Sequence, residues 1–455
     1  MKRIHMLKPR MPRSVIALSL VLAGITGALA VSTPALAATR CRHFYPGANL
    51  EGCNFAHANL SGANLSKADL EGDNLSYANL TRTNLGSAGL AKANLTGANL
   101  HFTDLYFADV HGARITRAIF RGTTLGRVSS GGLVGAPSVL PNRWEVKAGY
   151  LIGPAADLHS VDFSGMNLVG ADFSGAYLFG SNLSHANLTG ANLSKTAADG
   201  VNLRGANLTG VSLQHAKLSS AIITGATIVR AQLAYTHLDG ITSGGLRGTP
   251  LSMNSGWELV HGYLVGPTAV LVRATFGGAN LVGANLAGAI LTGSDLQHAR
   301  LAGANLDGVT SGRILGVPSS LPSGWQAIGG YLVGPGANLY QAELSYESLT
   351  NANLTGAILF GANLDQAALA GATLTGVTSG GISGTPASLP TNWYLVFGYL
   401  AGPGANLTGA NFTRANLTGI SLTGATLTGV TWNDTICPDG TNSNNDGDTC
   451  INNLV

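Results

Sequence analysis

The sequence predicts an all-β solenoid of square, twenty-residue coils, interrupted four times by one inserted module. Three observations carry that prediction. An apolar residue, mostly Leu or Phe, returns at every fifth position through five blocks. Only 10% of the 455 residues are charged and 6% aromatic, with 63 glycines, whereas an ordinary globular chain is about a quarter charged. Successive blocks are separated by a constant 33 residues, from 125 to 158, 238 to 271, 306 to 339 and 374 to 407.

The first element is a secretory leader. "MKRIHMLKPRMPR" is basic and free of acids, and it precedes the apolar "SVIALSLVLAGITGALAV" and then "STPALAATRC". A basic start, an apolar middle and a small-residue A-x-A site form an export signal. Cleavage is expected after Ala37, at Ala35-Leu36-Ala37, with Ala30 as second choice. The competing reading is an uncleaved anchor, because the apolar run approaches bilayer length. Pro34 and the A-x-A site favour cleavage, hence no stable membrane insertion of the mature chain. The residues before Cys41, "ATR", match a lipoprotein site poorly. Loss of Lys2, Arg3, Lys8, Arg10 and Arg13 leaves 20 basic against 22 acidic residues, a net charge of about −2. That balance excludes a polybasic nucleic-acid binder and a strongly acidic mimic of one.

The repeat begins at Ala48 with "ANLEGCNFAHANLSGANLSKADL". Its five blocks hold 16, 17, eight, eight and six units, 55 in all, with Ala198 in one Leu slot and Trp432 in the last. A period of five fits neither a 3.6-residue helix nor a strand of period two. A short extended piece plus a turn fits it, and four such units close a square. Leu and the Ala two residues earlier then point into the lumen together. The Asn or Asp between them faces out, and pairs such as Thr-Gly make the turn, Gly supplying positive φ and Asn or Asp bonding its own backbone. Fifty-five units at four per coil give about 14 coils and a rod on the order of 65 Å at the strand spacing. Each buried Leu or Phe contributes ~1.5–3 kcal/mol before chain entropy is subtracted.

The interruptions keep their own register. Pro137, Pro250, Pro318 and Pro386 each precede a Trp by seven residues. The pairs Trp144 and Tyr150, Trp257 and Tyr263, Trp325 and Tyr331, and Trp393 and Tyr399 are each six apart, and a Pro follows four later. "WELVHGYLVGP" reads as two short strands about a tight turn, fenced by proline. An excursion of about 28 residues is expected to leave the coil and rejoin it in phase. Its aromatics either fold back on the rod wall, which a lone hairpin needs for stability, or are displayed as a platform; an irregular coil filling the lumen is a further option. Eight units separate the last three inserts, so these should emerge on one side. The 17 units before the second insert place the first a quarter turn away.

The four cysteines form two close pairs at the ends of the mature chain, Cys41 with Cys53 and Cys437 with Cys450. In an exported protein they read as local disulfides, and their spacings match no common zinc site. "CRHFYPGANLEGC" and "CPDGTNSNNDGDTC" then cap the open solenoid ends. Asn442, Asn444, Asp446 and Asp448 loosely match the start of a calcium loop, but Asn453 stands where such a loop needs Glu; no metal is expected.

"ANLSGANLSKADL" and "ANLTGANL" closely resemble the A-[DN]-L-x-x signature of pentapeptide-repeat proteins, over most of residues 48–434. The resemblance implies a right-handed quadrilateral β-helix with four pentapeptides per coil and four hairpin-like inserts added here. It implies fold and not activity, since functions across the family are diverse. Some members mimic DNA and shield a topoisomerase; an exported, near-neutral, interrupted chain departs from that pattern.

The division that follows is a signal peptide over 1–37 and an N-terminal cap with the first block over 38–127. Further blocks cover 156–240, 269–308, 337–376 and 405–434, inserts cover 128–155, 241–268, 309–336 and 377–404, and a cysteine-containing cap covers 435–455. Enzymatic readings find little. Glu51 with Glu71, and Asp199 with Asp239, stack on one face without the paired carboxylates in a cleft that glycoside cleavage needs. His57, His185, His215 and His298 occupy variable outward slots. Thr189 and Thr209 align, but Val169 and Val229 flank them, so no ice-binding Thr ladder forms. Phe102, Tyr106 and Phe107 cluster outward, and Tyr340 lines up with Phe360 one coil on. The function expected is a secreted, non-enzymatic structural or binding scaffold without cofactor. It would engage a repetitive extracellular ligand, cell-wall or other glycan or protein, through the eight insert aromatics. An extracellular polysaccharide-acting enzyme is the alternative, and a topoisomerase-binding DNA mimic the third reading; no nucleic-acid partner is expected.

Overall fold

The computed structural model describes residues 41–454, and the predicted signal peptide with both its expected cleavage sites lies outside the described residues. Residues Phe44–Val455 form one compact unit.

Each five-residue unit is a β-turn followed by a single bridge. The Leu50 carbonyl accepts from the Cys53 N–H at 3.0 Å, and the turn's third residue, Gly52, has φ +76°, as a type II turn requires. Lys67, Tyr77 and Arg82 take the same left-handed conformation, with φ between 56° and 60°, so the ladder overrides a local preference for Gly. The residue before each Leu bridges in parallel to the residue twenty further on, as in Asn49 with Asp69, Asn54 with Asn74, Asn59 with Asn79 and Asn64 with Asn84. These four series are the four sides of the coil, numbered here in that order. Between coils the Leu50 N–H donates to Asp69 O at 2.8 Å and the Asp69 N–H to Ala48 O at 2.9 Å.

The repeat's letters follow from this geometry. Leu side chains fill the lumen; Leu65, Leu70, Leu75 and Leu80 are fully buried. The residue two earlier sits at the corner, where Ala68 and Ala78 are fully buried as well. Where Ser or Thr replaces that Ala its hydroxyl is bonded inward: Thr83, Thr103 and Thr123 donate to Leu60, Leu80 and Leu100 carbonyls at 2.7–2.8 Å. Asn does two jobs. Asn54 Oδ1 accepts from the Ala56 N–H at 3.1 Å, and also from Asn74 Nδ2 one coil on at 3.0 Å.

The inserts depart from expectation. Ser129 bridges to Asp157, Thr242 to Val270, Thr310 to Asn338 and Thr378 to Asn406, so each insert is a single coil enlarged from twenty residues to 28. The predicted 28-residue excursion away from the coil is therefore corrected. The first half stays on the wall, where Val134 bridges Arg114 and Val139 bridges Ile119. The physical reason is apolar. Val128 and Leu133 keep the corner slots filled and buried although Ser130 and Gly135 stand where Leu would. Val309 with Ile314, and Val377 with Ile382, repeat the arrangement.

The excess residues form a hairpin in place of one side. The hairpins pair β1 (Glu145–Lys147) with β2 (Tyr150–Ile152), β3 (Glu258–Val260) with β4 (Tyr263–Val265), β5 (Gln326–Ile328) with β6 (Tyr331–Val333), and β7 (Tyr394–Val396) with β8 (Tyr399–Ala401), all antiparallel. Both turn residues have positive φ, as in Ala148 and Gly149 or Phe397 and Gly398, the mirror-image turn that matches hairpin twist. Inserts two, three and four are each spanned by one continuous second-side ladder, at Thr242, Thr310 and Thr378, while insert one is spanned by the adjacent first-side ladder at Ser129. That is the quarter turn the unit count requires.

The second strand of each hairpin enters the core. Leu151 and Ile152 are both buried although they point to opposite strand faces. Leu264 packs in the core that starts at Ile152, whereas Val265 packs in the next, which ends at Leu332; Val333 starts another. In β8, Leu400 and Ala401 share one core with Trp393. The second and third hairpins therefore cross the lumen as septa. At the C-terminal end Cys437 and Cys450 form a disulfide, and Trp432 packs on Phe412 at 5.7 Å.

Candidate functional site: the insert aromatics and their grooves

The four Trp–Tyr modules share one local construction. A buried Ser five residues past the last stride Leu accepts from the second strand: Ser130 from Leu151 N–H, Ser243 from Leu264, Ser311 from Leu332 and Ser379 from Leu400, all at 2.9 Å. The turn is fastened to the wall by the Leu133, Leu246, Ile314 and Ile382 N–H groups, which donate to the Gly149, Gly262, Gly330 and Gly398 carbonyls at 2.9–3.1 Å.

The tryptophans pack inward. Each indole lies flat on the Gly nine residues later (Gly153, Gly266, Gly334 and Gly402), so closely that a Cβ there would overlap the ring. Trp393 is buried, and Trp144, Trp257 and Trp325 are half-buried. The tyrosines stack on the following coil. Tyr150 meets Phe163 at 5.2 Å, Tyr263 meets Phe276 at 5.2 Å and Tyr399 meets Phe412 at 5.5 Å. The Tyr263 and Tyr331 hydroxyls also accept from the Thr275 and Glu343 N–H groups, at 3.3 and 3.0 Å. All eight predicted binding aromatics thus anchor hairpin to rod, and three tryptophans keep an exposed remainder.

That remainder lines open grooves. Trp144 with Glu145, Gly170 and Asp172 borders one of about 250 Å³, and Trp257 with Glu258, Gly283 and Asn285 borders its equivalent of about 190 Å³. Glu145 Oε1 and Glu258 Oε1 are buried with no hydrogen-bond partner, and burial holds the Glu258 carboxyl above its ordinary value. Trp325 borders a groove of about 450 Å³ with Asp307 and Pro335. On its other side Trp257 borders the largest of these grooves, about 710 Å³, with Tyr235, His237 and Asp239. Insert one is held further by Arg143 on Asp172, and by Lys147 Nζ on Asn167 O at 3.0 Å.

Sequence reasoning missed the Ser, Gly and Phe partners. Each had a readable signal: a Ser fourteen residues before every Trp, a Gly nine after it, and a Phe thirteen after Tyr in three copies of four. The outward stack of Tyr340 on Phe360 is present, at 5.9 Å and 3°. Among the described residues no group of three His, Cys, Asp or Glu is arranged to hold a metal, and no cysteine is free. In the calcium-like tail Asn442 caps a 3-10 turn at Ser443–Asn445, Asn444 Oδ1 accepts from the Asp434 N–H at 2.9 Å, and Asp446 accepts from Thr441 at 3.2 Å. No helix among the described residues is long and apolar enough to cross a membrane.

Comparison with known proteins returns one family. Its profile, described as pentapeptide repeats, matches eight times, over residues 48–86, 74–106, 87–122, 156–194, 186–225, 269–308, 337–376 and 403–430, more than half of the chain. No curated protein matches. Among solved structures the chain is similar to HetL, a pentapeptide repeat protein involved in heterocyst differentiation regulation from the cyanobacterium Nostoc, at 20% identity over 86% of this chain and 93% of that one, with a TM-score of 0.14. It is also similar to QnrB1, a plasmid-mediated fluoroquinolone resistance protein, at 17% identity over 46% and 87%, TM-score 0.18. A pentapeptide repeat protein of the Arabidopsis thaliana thylakoid lumen shares 26% identity over 20% and 68%, TM-score 0.14. At these TM-scores the assignment rests on the repeat matches.

Proposed function

The chain belongs to the pentapeptide-repeat family, with its right-handed quadrilateral β-helix, and from that premise we propose that it is an exported, non-enzymatic binding scaffold whose inserts engage a repetitive extracellular glycan. The observation that carries the reading is the placement of inserts two, three and four. They are looped out between consecutive bridges of one ladder, at Thr242, Thr310 and Thr378, three coils apart, or roughly 14 Å at the strand spacing. Trp257 and Trp325, in the first two of them, border open grooves. A periodic ligand lying along that side meets equivalent surfaces in sequence, and linked weak contacts multiply through effective concentration. The disulfide at Cys437 and Cys450 suits an oxidising compartment, and the basic, apolar, A-x-A leader supports export. A DNA-mimicking role is disfavoured, because the 20 basic residues of the mature chain nearly balance its 22 acidic ones and leave no strongly acidic surface.

Two measurements test this. N-terminal sequencing of the protein recovered from culture medium should begin at residue 38 or 31; recovery of the full chain from the cytoplasm only would refute export. The purified mature chain should be retained on insoluble cell-wall polysaccharide, with affinity rising with oligosaccharide length until three inserts are spanned. No retention on any extracellular polysaccharide would refute the binding reading.

A further inference from the structure

The four inserts are internal controls for one another. Three carry Leu-Pro before the Trp turn, at Leu140-Pro141, Leu321-Pro322 and Leu389-Pro390, whereas insert two carries Met253-Asn254. The turn itself is unchanged, since Trp257 N–H donates to Asn254 O at 3.2 Å just as Trp144 donates to Pro141 O at 3.2 Å. The residue twenty-two before the Trp is Gly122, Gly303 and Gly371 in the same three copies, and Tyr235 in insert two. That position has positive φ throughout, φ 61° for Tyr235, so a bulky side chain there is a local cost. The hairpin is built without Tyr235, Met253 and Asn254 in three copies, so its fold does not require them. All three line the 710 Å³ groove.

The groove has defined chemistry. Tyr235 is 71% exposed, yet its ring is held parallel to His215 at 5.1 Å and 6°. Trp257 and Met253 line the same groove. Asn254 clamps the wall below, its Oδ1 accepting from the Thr236 N–H at 3.1 Å while its Nδ2 donates to Thr236 O. The exposed Asp239, His237 and Ser255 contribute polar groups. Where Leu218 N–H donates upward to His237 O, Leu238 has no ladder partner, because the hairpin displaces the next bridge on that side. No Lys or Arg lines the groove.

We infer that this groove is a dedicated binding site for a neutral oligosaccharide, an inference that rests on the scaffold reading above and names its principal site. A pyranose ring has an apolar C–H face that packs on the Tyr235 and Trp257 rings. Its hydroxyls donate to the Asp239 carboxylate and accept from the Leu238 N–H and Ser255. The volume falls within the range of small-ligand sites. Without a cation the groove disfavours polyanions such as nucleic acid, whose affinity rests on Lys and Arg.

The test converts insert two to the sequence of its siblings. Tyr235→Gly with Met253→Leu and Asn254→Pro introduces residues that the other copies already fold with, so the thermal midpoint should be retained. Isothermal titration of the full mature chain with N-acetylglucosamine hexasaccharide and with cellohexaose should show binding that the triple variant weakens at least tenfold. Asp239→Asn should weaken it as well. Unchanged hexasaccharide affinity in the triple variant would overturn the inference while leaving the scaffold reading intact, provided retention on wall polysaccharide persists. Loss of that retention in the unsubstituted chain is the failure of the scaffold reading itself. Tighter binding of a single-stranded DNA 12-mer than of either sugar, abolished by the triple variant, would also overturn it.

Discussion

The close seat of Trp393 on Gly402 permits a quantitative test of how the inserts are held. A Cβ at Gly402 would lie 2.8 Å from both Cε2 and Cε3 of the indole and closer still to Cδ2. The obstruction is a rigid ring and not the end of a flexible chain, so the ring must move. Overpacking of this kind costs about 1–3 kcal/mol, and full loss of a Trp from its core site about 3–5 kcal/mol. Gly402→Ala should therefore destabilise by about 2–3 kcal/mol. In a Trp393→Ala background the same change should cost almost nothing, because the clash is gone and φ at Gly402 is not in the left-handed region. The double-mutant cycle then returns a coupling of about 2 kcal/mol, within the range for residues in direct contact. Urea unfolding followed by near-ultraviolet circular dichroism measures all four corners. Additive effects of the two substitutions, within about 0.5 kcal/mol, would refute the stacking account.

Other consequences can be checked on the same footing. Ser243→Ala strands the buried Leu264 N–H that its hydroxyl accepts, and should cost about 1–3 kcal/mol in urea unfolding, against less than about 0.5 kcal/mol for Ser→Ala at the exposed Ser164. Leu286→Asp places a charge in the apolar lumen at a fully buried position; cooperative unfolding should be lost, and recovery of soluble chain with the parent's thermal midpoint would contradict a filled lumen. Burial raises the Glu258 carboxyl above 4.5, so its neutral form supplies stability that is present below that value and lost as pH rises through the raised one. Glu258→Gln should flatten the dependence of thermal midpoint on pH above the ordinary carboxylate range, and an unaltered slope would show that the carboxyl does not titrate out of that range.

Much of the solenoid is legible because each letter of its unit answers to one steric demand. Leu286 and its equivalents must fill a lumen, Ala must fit a corner, and Asn54 must serve both turn and ladder. Even the quarter-turn offset of insert one follows from counting units. The route of the hairpin was harder to read. The pairs Leu151-Ile152, Leu264-Val265 and Leu332-Val333 are consecutive apolar residues, the mark of a strand buried on both faces, but within an isolated hairpin they read equally as one packed face and one displayed. Ser130 and its counterparts look like ordinary polar loop residues until the second strand arrives to donate to them. The groove at insert two depends on a comparison among the four copies at Tyr235 and Asn254, where a departure from the module carries more information than the module itself.

The septa bear on how such a rod grows and fails. Val265 and Val333 each begin a new core just past a strand that closes the previous one, so a packing defect in one stretch of lumen stops at the next crossing strand, as flooding in a hull stops at a bulkhead. The stretch from Thr242 to Thr310 matches that from Thr310 to Thr378 in length and begins and ends on the same ladder. A whole compartment can then be duplicated or excised without rotating anything beyond it, and length becomes a quantity the chain can change in steps.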